Sequence, residues 1–177
     1  MAIDFNNNYF ELFGIDPFYG IDTARLDRAY REIQTQVHPD RYAHLPDAEQ
    51  RLSMQWATRV NEAYRTLKHP LSRAQYLLQL KGIDTLHASN TAMPPEFLME
   101  QMEWREAVAE AKAAEDAGEL EKLHHRLRAD ADALYAEIEK DIDRKEDYAA
   151  AAEAVRRMMF VLKLKDEIDE SLESLEP

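Results

Sequence analysis

Apolar positions recur at helical spacing along most of this chain, and the breaks between the runs fall at proline, glycine and capping residues. From Phe5 to Phe13 the pattern predicts a short helix carrying Tyr9, Phe10, Leu12 and Phe13, closed by Gly14, with a loop from Pro17. Asp22 suits an N-cap, after which Leu26, Ala29, Tyr30, Ile33 and Val37 form one stripe up to His38, where Pro39 prevents continuation. A polar loop from His38 to Pro46 leads to a third helix near Asp47. Its predicted stripe is Leu52, Trp56, Val60, Ala63 or Tyr64, and Leu67, facing the second helix as an antiparallel partner. Pro70 opens a short fourth helix through Leu71, Ala74, Leu77 and Leu78, ending before Gly82.

The segment GIDTLHASNTAMPP that follows is dense in breakers and cap-forming residues and reads as a domain boundary. Pro95 then starts a helix expected to run to about Ala117 and to stop at Gly118. A second, from Glu119, turns Leu120, Leu123, Leu127, Leu134 and Ile138 inward before a charged turn near Asp141 to Glu146. A third, from about Asp147 to Leu175, carries Ala151, Ala154, Met158, Val161, Leu164, Ile168 and Leu172. The expected fold is all-α: an amino-terminal domain over 1–81 with an antiparallel helical hairpin, a linker over 82–95, and a three-helix bundle over 96–177.

Composition sharpens this. Four glycines and seven prolines are too few for a many-turned sheet. With no cysteine, the chain has no disulfide, no thiolate metal ligand and no thiol nucleophile, which fits the cytoplasm. The start MAIDFNNNYF does not look like a signal peptide, and no apolar run reaches the roughly 18 residues of a membrane span, so no membrane role is expected. The net charge of -13 lies wholly after Lys81, so a neutral module is joined to an acidic one. That distribution argues against nucleic acid as a partner, because such binding draws on neutralised phosphates.

Three constellations carry candidate chemistry. His38-Pro39-Asp40 forms a polar corner between two long helices, with Arg25, Arg28 and Arg31 on the side of the second helix opposite its apolar stripe. On the helix after Pro95, with Leu98 as zero, Phe97, Gln101, Trp104, Val108 and Ala111 fall at roughly 220–300° and suffice to seal a bundle. Leu98, Met99, Met102, Glu103, Glu106 and Glu110 fall at roughly 0–140°, an apolar patch bordered by carboxylates and suited to a protein interface. Phe160 sits at the edge of its helix's apolar arc. Glu121 and His124 have one Glu-x-x-His spacing of a bundle metal site, but no second such pair occurs on another long bundle helix, and no metal, cofactor or catalytic residue is expected.

The stretches NYFELFGI, LDRAYREIQTQVHPDR and VNEAYRTLKHPLSRAQYLL resemble the J-domain family. That resemblance implies that His38, Pro39 and Asp40 stimulate ATP hydrolysis by a DnaK-type chaperone and that the basic face of the second helix docks it. Arg41 stands where lysine often follows the aspartate. ELFGI, HPLSRAQYLL, FLMEQMEWRE and VRRMMFVLKL extend the resemblance over nearly the whole chain to the Hsc20-like co-chaperones of iron–sulfur cluster assembly. Some of these carry amino-terminal cysteine pairs, so this chain is similar to the metal-free form. The implied client is the cluster scaffold protein, bound through Leu98, Met99, Met102 (where leucine is frequent), Glu103, Glu106, Glu110 and Phe160. A general J-domain adaptor for unfolded chains, with the acidic bundle used for self-association, is the alternative.

Overall fold

The computed structural model describes residues 6–86 and 93–175, and these form helices joined by turns, with no strand among them. The chain divides into two compact units, Met1–Leu77 and Leu78–Pro177. Helix α1 spans Tyr9–Phe13. It begins later than its apolar pattern suggests because Asn8 caps it, accepting from the Glu11 amide while the Glu11 carboxylate accepts from the Asn8 amide. Phe5 lies outside the described residues. Gly14 ends α1 at φ 61°, a left-handed conformation that glycine adopts without a Cβ penalty.

Helix α2, Thr23–Val37, starts where Asp22 accepts from the amides of Ala24 and Arg25, as its sequence predicts. After a short 3-10 turn, Pro39–Tyr42, helix α3 runs over Asp47–Lys68. Its buried stripe is Ser53, Trp56, Val60, Ala63 and Leu67. Leu52, expected in that stripe, is instead exposed, because the register of the hairpin turns Ser53 toward the end of α2.

Polar as well as apolar groups join α2 to α3. Tyr30 stacks on Tyr64 with ring centroids 4.0 Å apart, and the Tyr30 hydroxyl donates to Asn61. Lys68 Nζ donates to both carboxylate oxygens of Asp27, at 2.7 and 2.8 Å, and the Tyr64 hydroxyl donates to one of them at 3.0 Å.

Helix α4 spans Pro70–Leu80, with proline in its first turn, where no amide donor is needed. Its Arg73 is buried, contrary to the prior for arginine. The guanidinium donates to the carbonyls of Leu67 (2.8 Å) and Lys68 (3.4 Å) at the end of α3, and to that of Tyr19 (2.6 Å). It also lies over the Tyr19 ring. A cation at a helix C-terminus meets the negative end of the dipole, and the bonds to Leu67 and Lys68 satisfy carbonyls that the end of α3 leaves open.

In the second unit α5 spans Pro95–Ala113, α6 Ala117–Glu139 and α7 Tyr148–Leu175. Phe97, Trp104, Val108 and Ala111 of α5 are buried with Leu120, Leu123, Leu127, Leu134 and Ile138 of α6, and Met158, Val161, Leu164 and Ile168 of α7. Two expectations about the ends are corrected. The break after α5 falls before Gly118: Glu115 takes the left-handed conformation (φ 51°), Asp116 caps α6 by accepting from Glu119, and Gly118 lies inside the first turn of α6. Leu172 is only half-buried, and Ser171 takes the buried position.

The expected charged turn contains a π-helical turn, Lys140–Arg144, that continues α6 and buries Asp141 and Ile142. Buried Asp141 is satisfied by Lys145, 2.6 Å away, and its carbonyl accepts the Asp147 amide. Of the boundary segment 82–95, residues 87–92 lie outside the described residues.

Arg73→Met keeps the length of the stem but leaves the carbonyls of Tyr19, Leu67 and Lys68 without their charged donor. It should destabilise the first unit by about 3 kcal/mol, the order expected for buried hydrogen bonds to a charged group. Urea unfolding followed by Trp56 fluorescence in a Trp104→Phe background measures this.

Candidate functional site

The His-Pro-Asp corner is built from the constraint that proline places on the end of α2. A continuing helix would offer the amide of residue 39 to the Thr35 carbonyl, but Pro39 has none. Arg41 Nη1 donates there instead, at 3.1 Å. The Asp40 amide turns to His38 Nδ1 (3.3 Å), and the Tyr42 hydroxyl takes its place on the Gln36 carbonyl at 3.1 Å. The Arg41 amide bonds the His38 carbonyl, and buried Ser53 of α3 donates to that of Val37 at 2.8 Å. Four successive carbonyls are thus satisfied, three of them by side chains.

That arrangement fixes how the corner is presented. Because Nδ1 of His38 accepts a backbone amide, the neutral ring carries its hydrogen on Nε2, which is free to face outward. The Asp40 carboxylate lies 3.5 Å from the same Nδ1, a near neighbour and not an ion partner while that nitrogen is an acceptor. The two side chains are 51% and 90% exposed, so both stand available to a partner.

Arg25, Arg28 and Arg31 are all exposed on α2, on the side away from Leu26 and Val37, as the helical spacing requires. They are not equivalent. Arg25 donates to the Gly14 carbonyl at 2.6 Å and ties the start of α2 to the end of α1. Among the described residues the Arg28 and Arg31 side chains make no hydrogen bond and no ion pair.

Helix α5 carries a second exposed site. Phe97, Trp104 and Val108 are buried, while Leu98, Met99 and Met102 are 50%, 58% and 71% exposed. Glu103, Glu106 and Glu110 are exposed beside them. Helix α5 thus has two apolar faces, one packed in the bundle and one open to solvent. Phe160 of α7 is half-buried, its ring meeting that of Phe97 edge-on at 5.8 Å.

Phe160 is held by charges that the helical pattern did not single out. The Arg105 guanidinium lies 5.9 Å from its ring centroid, and Arg157 lies over Phe97 while pairing with Glu100 at 3.3 Å. A cleft of about 300 Å³ lined by Arg105, Val108, Phe160, Lys163, Leu164 and Glu167 opens between α5 and α7. The periodicity of α5 puts Arg105 on the Leu98 side, but only the packing of α7 brings it to Phe160. His124, the candidate of the Glu-x-x-His spacing, faces Asp169 of α7 at 3.1 Å, and Asp169 is paired with Lys165 at 2.7 Å.

An antiparallel hairpin that braces an exposed His-Pro-Asp corner, followed by a separate three-helix unit, defines a J-domain co-chaperone. Comparison with known proteins agrees. Residues 8–76 match the DnaJ domain model, and residues 93–169 match that of the HSCB C-terminal oligomerisation domain. The co-chaperone protein HscB homologs of Aromatoleum aromaticum and Azoarcus sp. are each 58% identical over 176 residues, covering 99% of this chain and 99% of their own.

Among solved structures, the chaperone HscB from Vibrio cholerae superposes with a TM-score of 0.85 at 34% identity, covering 96% of this chain and 100% of that one. Human co-chaperone protein HscB gives 0.88 at 30% identity, with 96% and 84% covered. The chain belongs to the HscB family of co-chaperones.

Ser53→Ala removes the donor to the Val37 carbonyl at a buried position and should cost about 1–2 kcal/mol. Local opening should rise with it. Amide hydrogen exchange at Arg41, whose N–H closes the adjacent turn, should speed up about tenfold.

Proposed function

We propose that this co-chaperone serves iron–sulfur cluster assembly as an adaptor with two docking sites. The acidic domain, 96–177, holds the cluster scaffold protein. Leu98, Met99, Met102 and Phe160 supply the desolvated centre of that interface, and Glu103, Glu106 and Glu110 its charged edge. The J-domain, 1–81, presents the scaffold to a DnaK-type chaperone specialised for this pathway, and 82–95 links the two. Arg28 and Arg31, with Arg25 at the edge, attract the acidic chaperone surface. His38, Pro39 and Asp40 stimulate ATP hydrolysis, which takes place in the chaperone's own active site, so the chain activates an enzyme without being one. The setting is the cytoplasm.

The observation that supports this reading best is the open face of α5: three large apolar side chains in a row, exposed on a helix whose opposite side is fully packed. The same face supports a second reading, self-association, because the matched carboxy-terminal model is described as an oligomerisation domain. Sedimentation equilibrium of the free chain separates the two: a monomer at the concentrations that saturate the scaffold removes self-association.

Leu98→Ala with Met102→Ala should weaken scaffold binding by more than about 1 kcal/mol per side chain and leave the melting temperature nearly unchanged, since neither is packed in the bundle. Titration calorimetry and thermal circular dichroism read the two effects. Normal affinity with a sharply lower melting temperature would sink the client assignment, and equal binding of unrelated unfolded chains would favour a general adaptor.

His38→Gln removes the outward imidazole and with it the acceptor of the Asp40 amide, while the bonds of Arg41, Tyr42 and Ser53 that hold the turn do not involve the ring. Scaffold affinity should stay as it was and stimulation of the chaperone's steady-state ATPase should fall at least about tenfold, the loss of roughly 1.4 kcal/mol of transition-state stabilisation. Full stimulation by that variant overturns the role given to the corner.

A further inference from the structure

Arg31 is exposed and unpaired although an acid stands where it could neutralise it. Asp27 lies four residues before Arg31 on α2, with the acid N-terminal to the base, the spacing at which intrahelical ion pairs form readily. No such pair closes. The Asp27 carboxylate is turned toward α3, where Lys68 holds both of its oxygens and Tyr64 donates to one of them. Tyr64 is itself fixed by stacking on Tyr30, which Asn61 and Gln34 hold by hydrogen bonds, so the direction of these donors is set by the hairpin.

The titration of Asp27 agrees with that geometry. Its carboxyl is held below the usual value, first by the hydrogen bond from Lys68, with Arg31 the smallest of the contributors. Lys68 is correspondingly raised, chiefly by Asp27. Glu32, the acid four residues after Arg28, makes no ion pair among the described residues either. Asp27 acts on Arg31 only weakly and at a distance, because its carboxylate is occupied by Lys68.

We infer that Lys68 is a positioning residue for chaperone docking: by clamping Asp27 against α3 it leaves Arg31 uncompensated and so sets the electrostatic attraction of α2 for an acidic partner surface. The inference rests on the docking reading given above. Lys68 acts through Asp27 and Arg31 and does not itself touch the partner. Releasing the clamp lets Asp27 swing to Arg31 and cancel the charge that the partner would meet.

The test is a set of variants in the full chain, with affinity for the purified DnaK-type chaperone measured at low and high salt and melting temperature followed in parallel. Lys68→Met should weaken binding about threefold to tenfold at low salt, with the loss shrinking as salt rises and screens the charges. Adding Asp27→Asn to it should restore affinity to within about twofold of the parent, because neither the clamp nor the competing acid is then present. If the double variant binds as weakly as Lys68→Met, Lys68 contributes its own charge or only holds the hairpin together, and the positioning role is overturned. Arg28→Glu with Arg31→Glu tests the reading beneath it. Unchanged affinity there removes α2 as the docking face; weakened affinity there with normal binding by Lys68→Met overturns only the role of Lys68.

Discussion

A helix that stops at a proline leaves carbonyls that no following amide reaches, and the amino-terminal unit is arranged around those of α2. Thr35 and Gln36 are exposed, but the carbonyl of buried Val37 would be costly to leave without a donor. Arg41 and Tyr42 fold back to the carbonyls of the first two, and Ser53 reaches the third from α3. This fixes the path of the chain after Pro39 and the register of α3 on α2 together. The exposure of His38 and Asp40 follows: the backbone is held from behind by its neighbours, and the bond from the Asp40 amide to His38 Nδ1 lies within the exposed corner, so neither side chain is drawn inward. Arg41 is accordingly more than a carried charge, since its guanidinium replaces the amide that Pro39 lacks.

The second unit solves a different problem. Its three helices share an apolar interior, yet α5 also has an apolar row on its outside. Packing by α6 and α7 secures the inner row, with Arg126 covering Trp104 and Lys112 joined to Glu167 at the border. The outer row is left to the solvent within a strongly acidic module. That combination disfavours indiscriminate association, because the surrounding carboxylates repel acidic competitors.

Much of this could be read from the pattern of residues. Asp22 as a cap, Pro39 as a break, Pro70 and Pro95 as starts, and the division of α5 into two faces all depend on near neighbours along one helix, which a sequence displays directly. What it did not display depends on two helices at once. Leu52 and Ser53 are adjacent, and only the hairpin register decides which is buried. The clamp of Asp27 by Lys68 joins positions 41 residues apart, and the burial of Arg73 follows from three carbonyls that no periodicity marks. Gly118 drew attention as a breaker, but the turn was made by Glu115 in a conformation that glycine would hold more easily. The buried Asp141 was hidden for a similar reason: a charged run reads as solvated until a π-helical turn rotates one member inward and a lysine meets it.

The open face of α5 lies on an uninterrupted helix, and this bears on the entropy of whatever binds it. From Leu98 to Glu110 the backbone rises about 18 Å as a rigid ruler, with its apolar contacts at one end and its carboxylates toward the other. A partner meeting such a ruler has no loop to order on this side, so little conformational freedom is lost here beyond side-chain rotamers. On the proposed docking the free and bound forms of α5 would share one backbone, and affinity differences among variants of the face would fall mainly on the rate of departure, with the rate of encounter left to long-range charge.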